Sequence, residues 1–489
     1  MTNITTFFKL IIFTPVVALA ACSTNQATGR SQFTGLMPAA QEANIGAQEH
    51  QKVLAEFGGA MNNPKIQNYV TQVGQKIVPY TERQDVNYTF TVLDSPVVNA
   101  FALPGGYVYV TRGILTLADS EAELAAVMAH EIGHVTARHS AERYSTSVVT
   151  GLGASLIAAA INVDGASQAL GVGANLYLSS YSRSQEHEAD NLGVRYLSRA
   201  GYDTLAMADF LHSLEASAAL ESKERGEPAT TGANSYFSTH PVTSERVAQS
   251  TAEAQRYPSS NGSTNRVEYL RMVNGLEVGD SASQGFIDNG MFIHPELGFK
   301  FNIPAGYKTN NSPSAFVAQG ANGALVFTAA QKQAGQSIDD FLRRNILEGN
   351  MTGARDFGTN QINGMNTASV EKTGVVNGKQ SNVRFIVFEW DATTVYQFAL
   401  AIPTNTPTAE IQAMQQSVFS FQRLSTTQKN SYRPKSLSMR VAKSGDTVQS
   451  MSANFPYNDN LNAERFRVYN GLNPGEQVIP QQVYKVIVQ

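Results

Sequence analysis

His130-Glu131-Ile132-Gly133-His134 sits inside a segment, Ser120 to about Tyr144, in which Leu124, Val127, Met128 and Val135 recur at helical intervals. Ser120 and Glu123 have the spacing of a capping box, which puts a helix start just ahead of that periodicity. On a helix, positions four apart differ by about 40° and one turn of rise, so both imidazoles can reach one ion about 2.0 to 2.1 Å from each nitrogen. Glu131 flanks the pair, close enough to take a proton from a water on that ion without being a ligand. With 8 histidines in 489 residues, chance produces this pattern in about one sequence in a hundred or fewer, so on a helix it reads as a metal site.

Such a site needs a third ligand, and Ser182-Arg183-Ser184-Gln185-Glu186-His187-Glu188-Ala189-Asp190 offers one. This stretch opens a helical segment that runs to Ala200 and stops at Gly201, a C-cap residue. Glu186 and Asp190 are four apart and share a face. One carboxylate can ligate while the other, a turn along, accepts a hydrogen bond from a ligating histidine.

Two further motifs occur in order: Asn99-Ala100-Phe101-Ala102-Leu103-Pro104-Gly105-Gly106 before the first, and Ser238-Thr239-His240-Pro241 after the second. Together these residues resemble the HtpX and CAAX-endoprotease family of gluzincin metallopeptidases, over roughly residues 38 to 275. The resemblance implies a mainly α-helical zincin-type domain with a small β-sheet and one zinc ion per chain. It further implies His130, His134 and Glu186 as ligands, Glu131 as general base and Asp190 as the partner of His130. Three protein ligands leave a position for water, as catalytic rather than structural zinc sites do. Glu131 would then take the proton from the attacking water and pass it to the leaving amine.

By the same resemblance the His240 loop lies near the active site. There His240 donates to the oxyanion, occupies the open zinc position and holds the enzyme latent, or is a loop histidine with only a structural role, and Arg246 either supplies charge to the cleft or makes an ordinary ion pair. Glu188 and His187 are turned about 200° and 100° from Glu186 and read as solvated helix-face residues, and His139, turned about 140° from His134, reads as a non-ligand. His50, His212 and His294 read as structural or surface residues. The Asn99 to Thr111 strand region can pair with an extended peptide, with Phe101, Tyr107 and Tyr109 as core or substrate-contact residues.

At the N-terminus Lys9 precedes an apolar run from Leu10 to Leu19, too short to span a bilayer but suited to a secretory signal. Leu19-Ala20-Ala21-Cys22 follows and resembles the lipobox of bacterial lipoproteins, which implies a lipid on Cys22 and membrane association through it. Cys22 is the one cysteine of the chain, so no internal disulfide can form. Ser23, rather than aspartate, implies sorting to the periplasmic face of the outer membrane.

At 489 residues the chain exceeds a single core, which stops growing at roughly 250 to 300 residues. The expected architecture is multidomain: a signal peptide over 1–21, a lipidated tether over 22–37, the metallopeptidase domain over 38–276, a small α+β domain over 286–424 and a short module over 435–489. In the α+β region Asn363-Gly364 and Asn377-Gly378 are hairpin turns, Val383 to Trp390 and Val395 to Ile402 are strands, and Ile338 to Leu347 and Ala409 to Phe421 are helices. In the last module Gly445-Asp446-Thr447, Asn470-Gly471-Leu472 and Val483 to Val488 resemble a LysM-type glycan-binding repeat, with Pro480-Gln481-Gln482 in place of the usual Pro-Gly-Gln. That implies peptidoglycan as a partner. Val148 to Ile161, apolar and rich in Gly and Ala, reads as a buried or interfacial hairpin.

Hydrophobic residues at 42%, charged residues at 16% and a net charge of -4 describe a folded protein with no electrostatic footprint for nucleic acid. The function expected is hydrolysis of peptide bonds in envelope or misfolded proteins. The competing expectation, from another class, is a chaperone-like or peptidoglycan-docking lipoprotein with an inactive protease domain.

Overall fold

The computed structural model describes residues 22–160, 180–226, 236–259, 262–376 and 378–489. The signal segment 1–21, Ile161 and Asn377 lie outside the described residues. The chain divides into two compact units, one made of residues up to Val278 together with Lys435–Gln489, the other of Gly279–Pro434.

In the first unit, strands β1 (Cys22–Thr24) and β2 (Ser31–Phe33) pair antiparallel. The polar stretch expected as a tether is therefore ordered here, because Asn25 Oδ1 closes its turn by accepting from the amides of Ala27 and Thr28. Helices α1 (Ala39–Glu56) and α2 (Pro64–Ile77) follow, then a three-stranded sheet of β3 (Thr89–Leu93), β4 (Ala100–Leu103) and β5 (Tyr107–Thr111) in the order β3-β5-β4. A short helix, α3 (Arg112–Leu117), leads into α4 (Glu121–Thr136), which carries the HEIGH stretch.

Helix α4 is capped by the Ser120 hydroxyl, which accepts from Glu123 N, and every residue from Ala122 to Thr136 is buried. Its expected continuation to Tyr144 does not occur. Arg138 adopts a left-handed conformation (φ 56°), and a new helix, α5 (His139–Ala160), starts after it. The turn is held by the Arg138 guanidinium, bonded to Glu42, Thr34 and the Met37 carbonyl. Of the stretch expected as a hairpin, residues 148–160 belong to α5, and its end at Ile161 lies outside the described residues. No helix among the described residues is long and apolar enough to cross a membrane.

Helix α6 (Arg183–Ala200) begins with a full capping box of Ser182 and Gln185 and ends at Gly201 in the left-handed region (φ 78°). It packs across α4 where both helices carry glycine. A Cβ on Gly133 would come within 3.0 Å of the Ala189 carbonyl oxygen, and one on Gly193 within 3.2 Å of His130 N. This close crossing brings the two metal-bearing sequences together. Helices α7 (Ala206–Arg225), α8 (Tyr236–Thr239), α9 (Ser244–Arg256) and α10 (Arg266–Val273) complete this part.

The second unit is rich in β-structure. Strands β6 (Phe286–Asp288), β7 (Met291–His294) and β8 (Phe299–Asn302) join β16 (Gln422–Arg423) in a four-stranded sheet. A seven-stranded antiparallel sheet has the order β12-β13-β14-β15-β11-β10-β9. Its strands are β9 (Lys308–Asn311), β10 (Phe316–Gln319), β11 (Ala324–Gln331), β12 (Ala354–Ile362), β13 (Met365–Val376), β14 (Lys379–Glu389) and β15 (Thr394–Pro403). Asn363 and Gly364 both take positive φ between β12 and β13, the two-residue turn their sequence predicts. Phe299, Phe301, Phe316, Phe327, Phe398 and Phe421 form an aromatic core under helix α11 (Thr408–Phe419).

Residues 435–489 group with the first unit. Strands β17 (Ser436–Val441) and β18 (Val483–Val488) pair antiparallel around α12 (Val448–Ser452) and α13 (Asn462–Tyr469). Lys485 is fully buried, and its ammonium donates to the carbonyls of Thr116, Leu117 and Ala118 at the end of α3. Those carbonyls lack helical partners, so the lysine satisfies them and complements the negative end of the helix.

Candidate metal centre

Helix α4 presents His130 and His134 on one face, four residues apart, and their Nε2 atoms lie 3.0 Å from each other. Glu186, one turn into α6, places its carboxylate 3.6 Å from His130 Nε2 and 3.5 Å from His134 Nε2. His240, directly after α8, brings Nδ1 to 3.3 Å from His130 Nε2 and 2.9 Å from Glu186 Oε1. One ligand atom from each of His130, His134, Glu186 and His240 lies within 4.8 Å of the others, so the group can hold a metal ion. All four side chains, with Glu131, are at most 1% exposed.

Three imidazoles and a carboxylate turning lone pairs on one another in a buried space fit a cation, and nitrogen and oxygen donors of this kind suit zinc. Neither carboxylate oxygen of Glu131 has a hydrogen-bond partner among the described residues, although its Oε1 lies 3.5 Å from His240 Nε2. A buried carboxylate that accepts no hydrogen bond is costly in a purely structural setting.

The electrostatics follow from burial and neighbours. Burial pushes the Glu131 carboxyl up, against the pull of His240 and His130. Burial also opposes ionisation of Glu186, but His240 and Arg246 hold its carboxyl well below the usual range. Burial drives His134 well down, towards the neutral form a ligand needs. At His130 burial works the same way, yet the Asp190 carboxylate raises the ring.

Asp190 Oδ1 lies 2.8 Å from His130 Nδ1, the nitrogen facing away from the cluster. Arg246 grips Asp190 with Nε and Nη2, both at 2.8 Å, and reaches Glu186 Oε2 with Nη1 at 2.7 Å. Arg246 is thus both a buried bidentate partner of Asp190 and a positive charge set against Glu186 of the cluster.

Two expectations are corrected. Glu188 is not a solvated helix-face residue: it is bonded to His139 and Arg30. His139 does not turn away from His134, because the chain breaks at Arg138, and its Nδ1 lies 2.8 Å from His134 Nδ1. Tyr181, stacked on His134 at 3.8 Å, and Tyr236, stacked on His240 at 4.5 Å, carried no sequence signal because each is brought in from a distant segment. His50 bonds the Tyr109 hydroxyl, and His187 is not among the metal-binding group.

Curated relatives match part of the chain. A mitochondrial metalloendopeptidase OMA1 from Schizosaccharomyces pombe is 31% identical over 208 residues, 42% of this chain and 59% of that one. A beta-barrel assembly-enhancing protease from Escherichia coli is 30% identical over 205 residues, 40% of each chain. The chain therefore spans between about two fifths and three fifths of the length of these relatives. Among solved structures, LpqN of Mycobacterium tuberculosis aligns with 26% of this chain and 83% of that one at 14% identity, with a TM-score of 0.22, too slight a likeness to bear on the fold. Residues 64–254, the stretch that carries His130, His134, Glu186 and His240, match Peptidase family M48.

Proposed function

We infer that this chain is a lipid-anchored zinc endopeptidase, in which His130, His134 and Glu186 hold one zinc ion and Glu131 is the general base. The observation that carries this reading is the convergence of those three side chains beside the buried carboxylate of Glu131, whose oxygens accept no hydrogen bond among the described residues. When bound, zinc would polarise a scissile carbonyl and acidify a water. Glu131 takes the proton of the attacking water on a carboxylate oxygen and delivers it to the leaving nitrogen. Asp190, itself clamped by Arg246, fixes the His130 ring with its proton on Nδ1, so that Nε2 keeps its lone pair. Strand β4 is an edge strand of its sheet and packs against α4, a position from which it can pair with an extended peptide.

For His240, the 2.9 Å approach of its Nδ1 to Glu186 favours a fourth ligand over an oxyanion donor. The arrangement is then a latent one, in which His240 must leave before substrate binds.

The resemblance of relatives named beta-barrel assembly-enhancing protease supports envelope proteins as the substrate class. Lipidation of Cys22 at the periplasmic face of the outer membrane and glycan binding by residues 435–489 complete the reading. Purified protein should contain about one zinc per chain, and Glu131→Gln should keep the metal while abolishing cleavage of an unfolded protein. Unchanged cleavage by Glu131→Gln would remove Glu131 from the chemistry. Retention of Cys22→Ala in the membrane fraction would refute the anchor.

A further inference from the structure

His130 and His134 are supported differently, and the support of His134 reaches into the N-terminal hairpin. A ring that offers Nε2 to an ion carries its proton on Nδ1. For His134 that Nδ1 faces Nδ1 of His139 at 2.8 Å, so His139 must accept there and carry its own proton on Nε2. Its Nε2 lies 3.0 Å from Glu188 Oε2, an acceptor. Arg30 Nε then donates to both oxygens of Glu188 at 3.0 and 3.1 Å, while its Nη1 and Nη2 bind Glu142 at 2.6 and 2.7 Å.

Every donor meets an acceptor along this path, and it runs in one direction only. It mirrors the arrangement at His130, where the carboxylate of Asp190 is held by Arg246. His139 is fully buried, so its proton has no solvent to fall back on.

Arg30 owes its place to the hairpin. Asn25 Nδ2 donates to the Thr136 carbonyl at 3.1 Å and Gln32 Nε2 to the Ala137 carbonyl at 3.0 Å. These are carbonyls at the C-terminal end of α4 that have no helical partner, so the β1–β2 hairpin is fastened to the helix that bears both histidines.

We propose that His139, Glu188 and Arg30 are positioning residues that fix the tautomer and orientation of His134, which makes the N-terminal hairpin part of the metal centre. The inference rests on the reading of His130, His134 and Glu186 as zinc ligands. Outer partners of metal-bound histidines are typically worth about 10- to 100-fold in metal affinity.

The test is zinc affinity by chelator competition on the full chain, with thermal unfolding of the metal-free protein in parallel. His139→Leu should weaken zinc binding by about 10- to 100-fold. Arg30→Met should weaken it by a smaller factor, and Arg30→Lys should recover part of that loss. Glu188→Gln, which can still accept from His139, should fall between Arg30→Met and wild type. If His139→Leu does not fold, Arg30→Met and Glu188→Gln, at partly exposed positions, decide the matter. Affinities within about twofold of wild type in the folded variants, whatever their melting temperatures, overturn the proposal. Absence of zinc from the wild type would instead overturn the metal reading beneath it.

Discussion

His240 Nδ1 stands 2.9 Å from Glu186 Oε1, inside the cluster rather than at its rim. With His240 as fourth ligand the site is closed, and His240→Ala should keep its zinc and cleave an unfolded protein faster than wild type. Were His240 an oxyanion donor, the same variant would lose about 10²- to 10³-fold in kcat. Steady-state cleavage rates at matched zinc content separate the two.

Gly133 lies where α4 and α6 cross. In a helix interior glycine gives up roughly 0.5–1 kcal/mol against alanine, so something must favour it here. That something is the Ala189 backbone, 3.0 Å from where a Cβ would sit. Gly133→Val, whose branched side chain extends further, should cost about 1–3 kcal/mol of stability and weaken zinc binding by moving Glu186 away. Thermal unfolding and metal titration check both parts.

Arg246 is the buried cation between two carboxylates, Glu186 and Asp190. Removing one partner of a buried pair typically costs about 3–5 kcal/mol, because the other charge is left without compensation. Arg246→Met should therefore lower the melting temperature sharply, and more so in chelator than in zinc, since zinc can offset part of the lost positive charge. An equal loss in both conditions would detach Arg246 from the metal centre.

The second unit offers a pH test through His294. Burial lowers this histidine from 6.5 to about 4. As pH falls below about 6.5 the unfolded chain takes up a proton that the folded unit refuses until about 4. Stability is then full above that window and is lost through it on acidification, at about 1.4 kcal/mol per pH unit. The chain has a single tryptophan, Trp390, which packs on the core of this unit. Its fluorescence during denaturant unfolding at pH 7 and pH 5 should show the loss, and His294→Asn should reduce it.

What the sequence made legible was local. Ser120 marks the start of α4, Gly201 the end of α6, and Asn363-Gly364 a hairpin, because each acts on a backbone a few residues away. His130 and His134 could be singled out because helical geometry converts spacing into a shared face, and the same geometry pairs Glu186 with Asp190, but it is the family resemblance that makes Glu186 the ligand. What stayed hidden depends on the chain folding back. Arg138 in a left-handed conformation cannot be read from an arginine, yet it decides where His139 points. Arg30 meets Glu188 across 158 positions, and Arg246 meets Asp190 across 56, and no local periodicity links them. Likewise Lys485 looks like an ordinary strand lysine until α3 supplies three carbonyls for it.

The most direct measurement is zinc per chain by elemental analysis of purified wild type and Glu186→Ala after dialysis. With the Glu186 carboxylate as a ligand beside the imidazoles of His130, His134 and His240, the account predicts about one zinc in the wild type and a large loss in the variant. Full zinc retention by Glu186→Ala, with the fold intact, would contradict the assignment of Glu186 to the metal.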